Sequence, residues 1–155
     1  MGLFGFGGGD DEDEDKVPVI TEPVDPHWAL SPEGGFYPFL ELDPEEMGLT
    51  GVGGVYLIWH AGLRPEWVYA GHGTDLAAEF HAAGNNRDVT TYEKNGGLFV
   101  AWAPVKDIFR PGVVKFLEQS FKTLVANPGS YTEKTRPVPV IAPTRRKTKV
   151  PSPRR

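Results

Sequence analysis

The sequence predicts a small α+β domain with extended arms at both ends. We expect a mixed or antiparallel three-stranded sheet flanked by helices, in the order β-β-α-β-α. Two β-prone runs separated by a short turn-rich loop indicate a hairpin. A third run, apolar on both faces, indicates a central strand, and a late segment carries apolar residues at helical spacing. With 155 residues, the chain is long enough for one domain plus tails.

The hairpin opens the predicted domain. Residues 54–59 contain an apolar run of β-branched and aromatic side chains, which is typical of a strand. Residues 67–70 form the expected antiparallel partner, and the loop between the two contains Arg64 and Pro65. Residues 98–103 form the third strand, which we place centrally because both of its faces are apolar.

The first helix is predicted over residues 74–83. Thr74 is a suitable N-cap, Asp75 is favoured near the positive end of the helix dipole, and Gly84 is typical of a helix end. Residues 85–97 are polar and rich in turn-forming residues, so we expect a loop there.

The last helix is predicted from Pro111, since proline is favoured at the first helical position. The Asn-Pro-Gly sequence at residues 127–129 is expected to end it. Its predicted buried stripe, at spacings of four, four and three, consists of Val113, Leu117, Phe121 and Leu124.

The net charge of −5 is distributed very unevenly. Residues 1–50 hold thirteen acids and one lysine, residues 51–131 hold seven of each sign, and residues 132–155 hold eight bases and one acid. Blocks of like charge usually stay solvated or act as interaction tails. Residues 1–16, with six consecutive acids, are therefore expected to form an acidic tail without a fold of its own.

The segment 17–48 contains six prolines, so we expect an extended arm rather than a helix or strand. It also carries aromatic residues that a simple linker would not need. These anchors could pack on the chain's own domain, predicted as residues 49–131, or on a neighbouring subunit. The anchors are Trp28, Phe36, Tyr37 and Phe39.

The segment 132–155 is expected to be an extended, proline-rich basic tail. Its charge suits binding to nucleic-acid phosphates or to an acidic protein surface. It has no aromatic residue after Tyr131, so base stacking is not available to it. The candidate phosphate- or partner-binding residues are Arg145, Arg146, Lys147, Lys149, Arg154 and Arg155.

Two short motifs in the hairpin, Gly-Val-Tyr ending at Tyr56 and Val-Tyr-Ala-Gly around Tyr69, resemble the paired motifs of GIY-YIG nuclease domains. The resemblance implies that both tyrosines line a catalytic cleft. It also implies that Glu118, on the late helix, binds a divalent metal such as Mg²⁺ or Mn²⁺. Carboxylate oxygens suit such ions, which stabilise the charge that develops on a phosphodiester.

The sequence departs from the GIY-YIG pattern at Glu79, the position ten residues after Tyr69 where the family carries its catalytic arginine. A carboxylate repels a phosphodiester and cannot replace a guanidinium. Arg87 is the nearest base beyond this helix, and it could reach the cleft only if its loop folds back. Losing such a charge-stabilising group typically costs a hundredfold or more in rate.

The histidines offer a weaker alternative site. His60, His72 and His81 with Glu79 could be imagined as a zinc site, but no two of them have the spacing of a ligand pair on one helix. We expect His72 and His81 to line or flank the cleft instead.

These observations favour a catalytically degenerate domain that serves as a structural or interaction protein in a larger assembly, for example a viral particle. Its partners would be other protein subunits bound through residues 1–50 and 132–155, and no cofactor is expected. One alternative is a divergent DNA endonuclease that uses Mg²⁺ or Mn²⁺, and another is a non-catalytic nucleic-acid binder. The chain has no cysteine, no membrane-length apolar run and no typical secretion signal, so we expect it inside a cell or particle.

Overall fold

The computed structural model describes residues 17–144, and these form an α+β structure with a four-stranded antiparallel sheet and three α-helices. The α+β class is confirmed, but the number of strands is not. The strands are β1 (Tyr37–Pro38), β2 (Gly54–His60), β3 (Glu66–Gly73) and β4 (Leu98–Pro104). The helices are α1 (Leu76–Gly84), α2 (Arg87–Thr90) and α3 (Arg110–Phe121), with a 3₁₀ helix at Thr91–Lys94.

The sheet has the strand order β1-β4-β2-β3, so β2 and β4 are central. The prediction of three strands was wrong because β1 comes from the proline-rich arm. Tyr37 pairs with Val100, Pro38 pairs with Phe99, and the Phe39 amide donates to the Leu98 carbonyl. Proline is tolerated here because β1 lies at the edge of the sheet, where the N–H that proline lacks is not needed for hydrogen bonding to a further strand.

The two faces of the sheet are covered by different helices. Tyr56 and Ile58 point to the side of α1, where they join Leu76 and Phe80 in one buried cluster. Val55 and Leu57 point to the side of α3, where a second cluster includes Val113, Val114 and Leu117. We call these the α1 face and the α3 face.

Both ends of the residue 74–97 region differ in detail from the prediction. The N-cap of α1 is Asp75 rather than Thr74, because the Asp75 carboxylate accepts from the Ala78 amide at 3.2 Å. The expected loop over residues 85–97 contains α2 and the 3₁₀ helix. Asn86 starts α2, with its side-chain oxygen accepting from the Asp88 amide.

Helix α3 ends at Phe121, six residues before the predicted stop, and Lys122 adopts a left-handed conformation with φ of 55°. Leu124 is therefore not part of the helical stripe. Its amide donates to the Trp67 carbonyl on β3, and the next amide donates to Val68. These bonds cover the outer edge of β3, which would otherwise expose unpaired carbonyl groups.

The arm packs on its own domain. The Trp28 side chain is only 9% exposed, and its indole N–H donates to the Ile141 carbonyl at 2.7 Å. Val24 pairs with Val140 in a parallel bridge, and the Val138 amide donates to Gly112 on α3. The part of the arm around Trp28 thus lies with the segment 132–144 on the α3 face, whereas Phe39 joins the buried cluster of the α1 face. Within residues 17–144, no helix has the length and apolarity that a membrane span requires.

Candidate functional site around Tyr56 and Glu79

Tyr56 is almost completely buried in β2, with 1% of its surface exposed. Its ring lies over the backbone of Gly71, its partner across the hairpin. A Cβ atom at position 71 would lie 2.5 Å from the Tyr56 hydroxyl oxygen, closer than real Cβ contacts allow. Glycine at this position is therefore explained by the room that the tyrosine needs.

Glu79 reaches the same place from α1. The Tyr56 hydroxyl donates to Glu79 Oε1 at 3.2 Å. The carboxylate lies over Gly73, where an added Cβ atom would come within 2.6 Å of Oε2. Gly71 and Gly73 are two residues apart on the α1 face, so together they make the space for the Tyr56–Glu79 pair.

The environment of this pair disfavours ionisation. Burial raises the pKa of Glu79, although the hydrogen bond from Tyr56 and the nearby His72 partly oppose this rise. The pKa of Tyr56 is raised strongly, first by burial and then by the charge of Glu79. Tyr56 is therefore held as a protonated hydrogen-bond donor, which is the opposite of what a general base requires.

Tyr69 lies beside the pair, half-buried, with its ring centroid 6.2 Å from that of Tyr56. Burial raises its pKa, and the charges of Glu79 and Glu118 raise it further. Within residues 17–144, its hydroxyl makes no hydrogen bond. Tyr69 thus lies within the influence of two carboxylates.

Glu118 uses both oxygens for structural contacts. Oε1 accepts from the Tyr131 hydroxyl at 2.7 Å, and Oε2 accepts from the Asn127 amide at 2.9 Å. The Asn127 side chain in turn donates to the Ala70 carbonyl on β3. The hydrogen bond to Glu118 is the main cause of a raised pKa at Tyr131.

Glu118 therefore connects α3 to the segment that covers the edge of β3. Within the described residues, no three His, Asp or Glu side chains are grouped closely enough to hold a metal ion. As arranged, these residues do not fit a divalent ion. The sequence analysis missed Tyr131 and Asn127 because nothing in their spacing links them to Glu118.

The other predicted site residues are dispersed. Arg87 is exposed at the start of α2, and within the described residues its side chain makes no hydrogen bond to either tyrosine. His72 forms a hydrogen bond with the Ser130 carbonyl, with 2.8 Å between Nε2 and the oxygen. His72 is also close enough to Glu79 to lower the pKa of the Glu79 carboxyl. His81 is exposed and pairs with Glu45 of the arm at 2.8 Å. His60 lies at the opposite end of β2, paired with Glu66.

No guanidinium within residues 17–144 hydrogen-bonds to Tyr56, Tyr69 or Glu79. Arg110 donates to the Val105 carbonyl and Arg136 to the Val17 carbonyl. The predicted basic residues Arg145, Arg146, Lys147, Lys149, Arg154 and Arg155 lie outside the described residues.

Comparison with protein-family models, with curated proteins and with solved structures gave no match for this chain. A protonated tyrosine that donates to a partly buried carboxylate offers no cation to a phosphodiester.

Proposed function

We propose that this chain is a non-catalytic interaction protein, with a GIY-YIG-like frame, that acts as a structural subunit of a larger assembly. A viral particle is one assembly of this kind. The single observation that carries the proposal is the Tyr56–Glu79 hydrogen bond at the centre of the α1 face. The likeness to GIY-YIG domains itself stays a prediction from the two tyrosine motifs.

The electrostatics of this pair support the absence of phosphodiester cleavage. The transition state of cleavage gathers negative charge, which needs a preorganised cation or metal ion nearby. Here Glu79 lies against Tyr56, and Glu118 is used by Tyr131 and Asn127. A substrate phosphate would meet two carboxylates, and no guanidinium of residues 17–144 hydrogen-bonds to either of them.

The surface supports a role in protein association. Among residues 17–144, eight large apolar side chains are exposed, and five of them lie on the arm and on the segment 132–144: Val19, Val24, Leu40, Met47 and Ile141. Val24 and Ile141 are neighbours, since the Ile141 amide donates to the Val24 carbonyl at 2.9 Å. Exposed apolar side chains are better suited to binding a protein partner than to binding the phosphate backbone of a nucleic acid.

A cleavage assay tests the catalytic half of this proposal. Supercoiled plasmid is incubated with the full chain and Mg²⁺ or Mn²⁺, beside a Glu118→Ala variant as the matched control. We expect no difference in nicking between the two proteins. Cleavage by the natural chain that disappears in Glu118→Ala would establish the endonuclease alternative and overturn the proposal.

Ionic strength tests the part assigned to the charged arms. Complexes that the full chain forms with itself or with other subunits should weaken as salt rises, because exposed charges are screened. Sedimentation velocity at low and high salt measures this. Complexes that are indifferent to salt would contradict a role for residues 1–50 and 132–155 through their charge.

A further inference from the structure

A second carboxylate lies against aromatic rings at the hairpin end of the molecule, away from the Tyr56–Glu79 pair. It belongs to a cleft of about 210 Å³ that we call the aromatic cleft. Three parts of the chain build it: the arm, the β2–β3 hairpin and the segment 132–144. It is lined by Phe36, Trp59, Pro65, Glu66, Trp67 and Pro143.

Three aromatic rings line the cleft and meet one another at steep angles. Phe36 and Trp59 meet edge to face, with centroids 4.6 Å apart and planes at 87°. Trp59 and Trp67 are 5.6 Å apart with planes at 66°. All three side chains are partly exposed and line the cleft, and one face of Trp67 is stacked on Phe121 with centroids 4.9 Å apart. Aromatic faces carry negative potential, and several of them around one cavity favour a cation.

Glu66 adds a full negative charge at the rim. Its Oε1 is 3.0 Å from His60 Nε2, and its side chain is 53% exposed. Within the described residues, Oε2 has no partner. The carboxylate is therefore held on one side while the other oxygen stays available to a ligand.

His60 acts as a positioning residue for this carboxylate. Its side chain is 4% exposed, and its ring is stacked on Tyr92 with an interplanar angle of 9°. The Gly62 amide donates to Nδ1 at 3.2 Å, so the proton of the neutral ring must lie on Nε2, facing Glu66. The chain Gly62–His60–Glu66 thus fixes the orientation of the rim carboxylate.

The size of the cleft indicates one side-chain head group. Pockets for small organic ligands usually measure about 300–1,000 Å³, more than this cleft offers. A guanidinium fits better than an ammonium, because its plane can stack on an indole while its edge donates to a carboxylate. Pro143 forms part of the wall, and the sequence continues through Thr144 to Arg145 and Arg146. Two residues extend at most about 7 Å, so Arg145 starts within reach of the cleft.

We propose that the aromatic cleft is a guanidinium-binding site, and that its occupant is an arginine of the basic segment 145–155 of the same chain. The site goes beyond the proposed function, because it lies at another end of the sheet. It would bind a cation whether or not the residues around the Tyr56–Glu79 pair catalyse phosphodiester cleavage. Its chemistry is an aromatic box closed by a positioned carboxylate.

The experiment follows the indole N–H signals of Trp59 and Trp67 by NMR in the full chain. A tail-neutralised variant carries Arg145→Gln, Arg146→Gln, Lys147→Gln, Lys149→Gln, Arg154→Gln and Arg155→Gln, and the probe is a peptide with the sequence of residues 144–155. Neutralising the tail should shift both signals, and the probe should reverse this shift in the variant. The natural chain should bind the probe at least about fivefold more weakly, because its own segment competes.

Two variants that each remove one negative charge test whether Glu66 is the carboxylate that binds the guanidinium. In the tail-neutralised background, Glu66→Gln should weaken probe binding by about fivefold, while Glu46→Gln, an exposed glutamate on the arm, should leave it unchanged. A peptide with its arginines replaced by glutamine should not bind.

Three results would overturn the proposal. If neutralising the tail shifted neither indole signal, the basic segment would not occupy the cleft. Probe binding that shifts neither Trp59 nor Trp67 would place the basic segment elsewhere. Equal binding of the probe by the natural and tail-neutralised chains would show that the chain's own segment does not occupy the cleft. The plasmid assay is independent of all three results, since its variant changes Glu118, which does not line the aromatic cleft.

Discussion

Glu79 and Glu66 are both glutamates set against aromatic side chains, yet their surroundings give them opposite roles. Glu79 accepts from a buried tyrosine, and burial raises its pKa, so the pair is closed and disfavours charge. Glu66 is half-exposed, held by His60 through one oxygen, and open on the other. The difference teaches that a carboxylate becomes a structural group or a binding group according to what satisfies its oxygens and how much water it keeps.

The largest effect should come from removing the space that the closed pair needs. We expect Gly71→Ala to lower the free energy of unfolding by about 1–3 kcal/mol, because the new methyl group displaces the buried Tyr56 ring. Gly84→Ala is the matched control, since its Cβ atom meets nothing within 4 Å at the end of α1, and it should stabilise by up to about 1 kcal/mol. Urea denaturation measures both. A neutral Gly71→Ala variant would show that the pair is not rigidly held.

The hydrogen bond of the closed pair should have the next largest effect. Tyr56→Phe leaves the partly buried Glu79 without its donor, so we expect a loss of about 1–2 kcal/mol in unfolding free energy. Tyr69→Phe is the control: in the described structure its hydroxyl makes no hydrogen bond, and the change should be within about 0.5 kcal/mol. Equal effects of the two substitutions would erase the distinction between the paired and unpaired tyrosines.

The smallest effect concerns pH. The folded-state pKa of Glu79 is raised above its ordinary value of 4.5, so the folded chain holds that proton more tightly than the unfolded chain. The stability linked to this group is present below pH 4.5 and is lost as pH rises through the raised pKa. We expect Glu79→Gln to match the natural chain at low pH and to be more stable near neutrality.

Glu66→Gln is the comparison for this pH profile. It should leave the shape of the profile unchanged, because Glu66 is half-exposed and keeps an acceptor for His60 as glutamine. Thermal unfolding across the pH range measures both variants. If Glu66→Gln flattened the profile and Glu79→Gln did not, the roles assigned to the two glutamates would be reversed.

Local patterns were sufficient for most of the central fold. The apolar β-prone runs predicted β2, β3 and β4, and the charge and glycine signals around residues 74–84 predicted α1. They failed where long-range hydrogen bonds decide the outcome. β1 exists because the arm pairs with β4, and α3 ends early because the residues after it bond to the edge of β3.

The candidate site shows the same division. Tyr56, Tyr69, Glu79 and Glu118 could be selected from sequence by their motifs and by charge. Their pairing could not, since Tyr56 and Glu79 are 23 residues apart and Glu118 and Tyr131 are brought together by the turn after α3. The aromatic cleft was not predicted at all, because Phe36, Trp59 and Pro143 come from three distant segments.

The sequence by itself determined the α+β class, the positions of the central strands and the presence of a carboxylate on α1 at Glu79, because each is carried by residue types and short-range spacing. Only the tertiary structure decided which donors hydrogen-bond to each carboxylate and which of its oxygens accept them. The physical reason is that a glutamate's role depends on burial and on its hydrogen-bond partners, and both are supplied by residues far away along the chain.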